Sequence, residues 1–160
     1  MKFIEYKKIF LLILSFSIFL CSNTYSSEYQ DVIKKVFGNR KIDVIEGIWE
    51  KTFANQGPTG CVTMFYKDQD EYYQVHIDEC FVMGKVTGKQ KKLSVTEYKG
   101  ENAIYFYDRK VIWEPSSIKI EKNLNNLNIT HGSYNNTFIE KWKRIWPTDI
   151  NTYNKLIGDN

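Results

Sequence analysis

The sequence contains few side chains of the kinds that carry out chemistry. Its two histidines, His76 and His131, each lie in a segment with the alternation of a β-strand, and His76 stands two residues before Asp78. Residues two apart share one face of a strand, so this imidazole and this carboxylate are predicted to lie together. Zinc sites need three or four supported ligands, and the spacing supplies no third. We therefore interpret both histidines as polar residues of a lumen or a surface, and we expect no metal and no cofactor.

Motifs of the common enzyme classes are not present in the sequence. It has no Gly-x-Ser-x-Gly nucleophile turn, no phosphate-binding loop and no dinucleotide fingerprint. The net charge is +3, from 22 basic and 19 acidic residues. The one basic cluster, Lys85–Lys92, is predicted to be a solvated loop, and a nucleic-acid partner would need a larger basic surface. The sequence thus indicates a non-enzymatic protein that does not bind nucleic acid.

Residues 1–26 have the three parts of a cleavable secretory signal peptide. Lysines come first, an apolar run from Ile9 to Leu20 follows, and a small polar stretch ends near Ser26. The run is too short to span a bilayer, so no membrane span is expected in the mature chain. A lipoprotein anchored through Cys21 is disfavoured, because Leu20 stands where a small residue is needed. The prediction is export to the periplasm or out of the cell.

Cleavage would leave Cys61 and Cys80, and an even pair in an exported protein favours a disulfide. The segments between them alternate as a β-hairpin. Pairing the apolar positions of its two strands places Met64 opposite Val75 and Tyr66 opposite Tyr73. The same register brings the two cysteines together on the other face, so two independent patterns agree.

Residues 27–44 are predicted to form a short helix and a linker, because apolar residues recur at helical spacing from Tyr29 to Phe37 before Gly38. Residues 45–147 then show a period of two. Eight or nine strands are predicted, at 45–53, 60–67, 71–80, 91–98, 103–107, 111–114, 117–122, 127–131 and 137–145. A turn is expected at 99–102, and the tail, 148–160, contains a short helical pattern. This spacing is typical of an all-β antiparallel sandwich or barrel. Successive hairpins favour an up-and-down meander, and closure into a barrel would hide its edges.

Two short motifs carry a family resemblance. Gly47-x-Trp49 opens the first predicted strand, and Arg144 lies near the end of the last one. This pattern resembles the lipocalins and wider calycins, and Ile45–Trp49 also resembles the opening of small exported bacterial domains of unknown function. The resemblance implies a lipocalin-like barrel in which the tryptophan closes the floor and the arginine stacks on its ring. Such a stack is worth about 0.5–2 kcal/mol.

Two functions fit these features. The first is binding of a small apolar or amphipathic ligand in the barrel, and the second is a filled barrel that serves as a cell-envelope interaction scaffold. For the first, we expect the apolar hairpin face to line the interior, because burying Gln74, His76 and Asp78 unpaired would cost several kcal/mol. The predicted ligand-binding residues are Met64, Tyr66, Tyr73, Val75 and Ile77.

Overall fold

The computed structural model describes residues 29–78, 80, 83–105, 110–133 and 136–158. The predicted signal peptide and Cys21 lie outside these ranges. The chain divides into two compact units, and the division along the sequence falls between Gly38 and Asn39. In the part of the chain that the structure describes, no helix is both long enough and apolar enough to cross a membrane.

The first unit contains the predicted helix near the N-terminus, α1 (Gln30–Val36). The helix ends where predicted, because the N–H groups of Phe37 and Gly38 both donate to the carbonyl of Ile33. Gly38 has a φ of 54°, a left-handed conformation that glycine adopts without steric penalty.

The second unit is a closed barrel of eight antiparallel strands, each hydrogen-bonded to the next and the last to the first. The strands are β1 (Gly47–Ala54), β2 (Val62–Asp68), β3 (Glu71–His76), β4 (Val86–Lys92), β5 (Glu97–Tyr105), β6 (Val111–Ile120), β7 (Asn126–Ser133) and β8 (Asn136–Trp146). The helix α2 (Ile150–Gly158) follows β8. The predicted all-β, up-and-down meander and its closure are therefore confirmed, with eight strands.

Three predicted boundaries between β3 and β7 are wrong. The predicted basic loop at 85–92 is mostly strand β4, in which exposed lysines alternate with the buried Thr87 and Gln90. The predicted turn at 99–102 lies within β5. A Cβ on Gly100 would lie 1.8 Å from the carbonyl oxygen of Lys89, so this glycine permits a close approach of strands instead of a turn. Strand β6 runs unbroken through Pro115, in the half that pairs with β5 alone.

Trp49 and Arg144 seal one end of the barrel, which we call the closed end. The Arg144 guanidinium carbon lies 4.0 Å from the centre of the Trp49 ring, as predicted. The guanidinium also donates hydrogen bonds to the carbonyls of Leu124 (2.9 Å), Glu46 (2.8 Å) and Val44. Burial lowers the pKa of Arg144 to about 9, so the group remains a cation at neutral pH.

Gly47 has a structural reason to precede this tryptophan. Its φ is 130°, and a Cβ there would lie 2.2 Å from the carbonyl oxygen of Trp146 and 3.0 Å from the Arg144 guanidinium. Glycine therefore lets the ends of β1 and β8 approach. The tail helix also attaches here, since the amide of Asn154 bonds both the N–H (2.9 Å) and the carbonyl (2.8 Å) of Ile42.

The predicted hairpin and disulfide are both confirmed. Strands β2 and β3 pair Met64 with Val75 and Tyr66 with Tyr73. Cys61 and Cys80 form a disulfide just beyond the ends of these strands. The bridge lies at the end of the barrel opposite Trp49, which we call the open end.

The hydrophobic core fills the half of the lumen next to the closed end. It consists of Ile45, Trp49, Phe65, Tyr72, Tyr98, Ile118, Ile120, Leu127, Ile129 and Trp142. The lumen is thus half filled with side chains, and polar residues line the half toward the open end.

Candidate functional site

A cavity of about 160 Å³ occupies the polar half of the lumen. It is lined by Lys51, Gln56, Gly57, Pro58, Gln74, His76, Thr87, Asn102, Ala103, Ile104, Tyr105, His131, Phe138 and Glu140. The cavity is bordered by the connection between β1 and β2, which contributes residues 56–58.

Strand alternation explains why polar side chains reach this cavity. Along β1, Lys51 is two residues beyond Trp49 and shares its inward face. Along β8, Glu140 is two residues before Trp142, and along β7, His131 is two residues after Ile129. Each of these three strands therefore contributes an apolar residue to the core and, two positions nearer the open end, a polar residue to the cavity wall.

A buried ion pair joins two of these strands across the wall. The Lys51 ammonium lies 2.8 Å from a carboxylate oxygen of Glu140, and both side chains are almost fully buried. The other carboxylate oxygen accepts the indole N–H of Trp142 at 3.1 Å, and the ammonium lies 5.1 Å from the centre of that indole. Both charges are thus compensated before any ligand is considered.

A network of amide side chains lies beside the pair. The Asn102 amide donates to Gln74 Oε1 at 3.1 Å, and the Gln90 amide donates to Asn102 Oδ1 and to Ser116 Oγ, each at 2.7 Å. A Cβ on Gly88 would lie 2.9 Å from Gln74 Oε1, so the glycine makes room for the amides. Gln74 and Asn102 reach the cavity already held in place.

The two histidines are the incompletely bonded groups of the wall. His131 is only 8% exposed, yet neither ring nitrogen has a hydrogen-bond partner among the described residues. Its ring stacks on Phe138 with 4.9 Å between centroids. His76 Nδ1 is likewise unbonded, 3.9 Å from a carboxylate oxygen of Asp78. Burial, and then the Lys51 charge, lower the pKa of His76, and burial lowers that of His131, so both rings are neutral at pH 7.

The structure corrects which hairpin face points inward. Phe65 and Tyr72 belong to the core and Gln74 and His76 line the cavity, so their face is the inner one. The predicted interior was the opposite face, and that prediction is wrong. The physical reason is that Gln74 is not buried unpaired, because Asn102 on β5 bonds it. Asp78 accepts the backbone N–H of Val62 at 2.6 Å.

The five predicted ligand-binding residues do not line the cavity. By alternation, Met64, Tyr66, Tyr73 and Val75 lie on the outer face of the hairpin, and Ile77 follows the end of β3. The rings of Tyr66 and Tyr73 stack with 5.7 Å between centroids, and the Tyr73 hydroxyl donates to Glu71 at 2.8 Å. The two rings therefore stack on the outside of the barrel, and the Tyr73 hydroxyl finds its partner there.

Lys51, Asn102 and Glu140 line the cavity and were not predicted to do so from the sequence. One signal could have found two of them. If Trp49 and Arg144 face inward at the closed end, counting in twos places Lys51 on the same face of β1 and Trp142 and Glu140 on the same face of β8. No comparable signal existed for Asn102, which lay in a predicted turn.

Comparisons of the chain with protein-family models, with curated proteins and with solved structures found no match. The lipocalin-like resemblance of Gly47, Trp49 and Arg144 therefore stays a prediction. The barrel fold fits a non-enzymatic binding domain.

Proposed function

We propose that the barrel is an exported module that binds a small amphipathic molecule in the cavity at its open end. The observation that carries the proposal is a half-filled lumen whose wall combines apolar surface, from Ile104 and Phe138, with the unbonded histidine His131. Binding sites for small molecules are typically concave and partly apolar, with a few placed polar groups. Export is supported by the predicted signal peptide and by the disulfide, since disulfides persist in oxidising compartments.

The size of the cavity limits the ligand. Sites for drug-sized molecules measure roughly 300–1,000 Å³, whereas an apolar cavity of about 150 Å³ holds one benzene molecule. A cavity of about 160 Å³ therefore fits one ring with a short substituent. Such a molecule should bind with a Kd of roughly 0.1–1 mM, given typical affinities per atom.

Calorimetric titration with benzyl alcohol, geraniol and decanoic acid tests this proposal. We expect saturable binding of benzyl alcohol. Ile104→Trp should abolish it by filling the cavity, and Lys99→Trp, which adds the same ring on the exposed outer face of β5, should preserve it. Absence of saturable binding for all three probes would refute the proposal.

The alternative is an interaction scaffold, and one observation favours it. Four large apolar side chains on the barrel strands are exposed to solvent on the outer face. Their exposed fractions are 45% for Phe53, 41% for Val111, 41% for Ile139 and 37% for Trp113. Exposed apolar residues of this kind can contact a partner. A Phe53→Ser, Trp113→Ser double variant that loses a cell-envelope partner, in a protein that binds none of the probes, would support this function.

A further inference from the structure

The ring nitrogens of His131 indicate which hydrogen-bonding groups a ligand must carry. Buried ring nitrogens of histidine normally have hydrogen-bond partners, and both nitrogens of His131 have none among the described residues. A neutral imidazole has one N–H donor and one acceptor nitrogen. The two nitrogens point to different sides of the ring, so one small polar group pairs with one of them, and only a donor can pair with the acceptor nitrogen.

Charge in the cavity wall disfavours an anion. Among the described residues that line the cavity, Lys51 is the only cation, and Glu140 already holds it at 2.8 Å. A carboxylate ligand would have to displace Glu140 or lie beside it, and two like charges close together repel strongly at low dielectric. The neutral amides of Gln74 and Asn102 add dipoles to the wall but no charge. An uncharged ligand fits this wall better.

The apolar part of the wall favours a flat ligand. Phe138 supplies aromatic surface, and its ring is nearly parallel to the His131 ring, at 11°. Aromatic rings pack on one another in offset-stacked or edge-to-face geometry with favourable energy. A planar ring therefore suits both the volume and the surface of the cavity.

We infer that the ligand is an uncharged aromatic carboxamide or a ring of the same hydrogen-bonding pattern, and that His131 selects it by accepting its amide N–H at the unprotonated ring nitrogen. This inference rests on the proposed function and makes it more specific. It predicts a preference order among molecules of one size and shape.

Three probes that share a phenyl ring bonded to a C=O group separate the need for a donor, for an acceptor and for zero charge. Benzamide has a donor and an acceptor, acetophenone has only the acceptor, and benzoate is an anion. We expect calorimetry on the protein purified from the cell that makes it to show benzamide binding roughly tenfold more tightly than either of the others, the factor expected for one buried group left unpaired.

Substitution of His131 tests its role in this selection. His131→Phe should weaken benzamide about tenfold and change acetophenone less than about twofold, which removes the preference. Thr130→Val alters the exposed neighbour on the same strand and should leave the preference unchanged. If His131→Phe fails to fold, the preference order of the unaltered protein still decides the inference.

Each outcome has a distinct meaning. Equal binding of benzamide and acetophenone, or tighter binding of benzoate, would overturn the inference. If benzyl alcohol binds and benzamide does not, the inference fails and the proposed function stands. If none of the one-ring probes binds and neither geraniol nor decanoic acid binds, both fail.

Discussion

Removal of the Arg144 side chain should destabilise the barrel more than any single exposed substitution. The guanidinium is only 4% exposed, stacks on Trp49 and donates to three backbone carbonyls. A hydrogen bond contributes about 1 kcal/mol net, and a desolvated cation–π contact contributes about 1–2 kcal/mol. We therefore expect Arg144→Ala to lower the free energy of unfolding by about 4 kcal/mol. This is a large part of the 5–15 kcal/mol typical of a domain.

Two further variants separate the contributions. Arg144→Lys keeps a cation over the indole but loses the planar fork that reaches three carbonyls, so we expect a loss of about 2 kcal/mol. Lys143→Ala changes the exposed neighbour on β8 and should stay within about 0.5 kcal/mol of the unaltered protein. Trp49 is one of four tryptophans, so fluorescence during unfolding includes a contribution from this site.

Urea unfolding followed by tryptophan fluorescence and circular dichroism measures these differences. A loss below about 0.5 kcal/mol for Arg144→Ala would refute the assignment of Arg144 as the residue that closes the barrel. A loss for Arg144→Ala equal to that of Arg144→Lys would show that the cation over the indole contributes nothing and that the fork geometry carries the whole effect.

Two further predictions concern the disulfide and the histidines. Reduction of Cys61–Cys80, which are 19 residues apart, should lower stability by about 3 kcal/mol in the chain-entropy account, and unchanged melting after reduction would contradict it. The pKa values of His76 and His131 are lowered from 6.5 by folding, so the unfolded chain takes up protons first on acidification. Stability should be full above pH 6.5 and fall below it by up to about 1.4 kcal/mol per pH unit for each histidine. Melting curves of the His131→Phe variant should show a shallower fall, and an identical pH profile would count against the burial of a neutral ring.

Local features of the fold could be predicted from the sequence. The hairpin register followed from two patterns within 20 residues, and the structure confirms both Met64 opposite Val75 and the Cys61–Cys80 bridge. The pairing of β1 with β8 joins Trp49 and Arg144 across most of the chain. This pairing was predictable because the lipocalin-like resemblance includes a tryptophan in the first strand and an arginine in the last.

The inward face of the hairpin could not be chosen from the hairpin alone. Both faces carry large apolar residues, Phe65 and Tyr72 on one and Met64 and Val75 on the other. Which face points inward depends on Asn102, which donates a hydrogen bond to Gln74 from another strand. A partner so distant in the sequence leaves no local pattern. The cavity, which depends on which polar groups find partners, was for the same reason beyond the sequence analysis.

Nuclear magnetic resonance of the two histidine rings during titration with benzamide tests the ligand site most directly. The chain has only His76 and His131, so their ring nitrogens can be assigned with one variant. We predict saturable shifts of the His131 nitrogens while the methyl group of Met64, on the outer face, stays unchanged. Unchanged His131 nitrogens at saturating benzamide, or shifts at Met64 instead, would contradict a ligand site in the lumen.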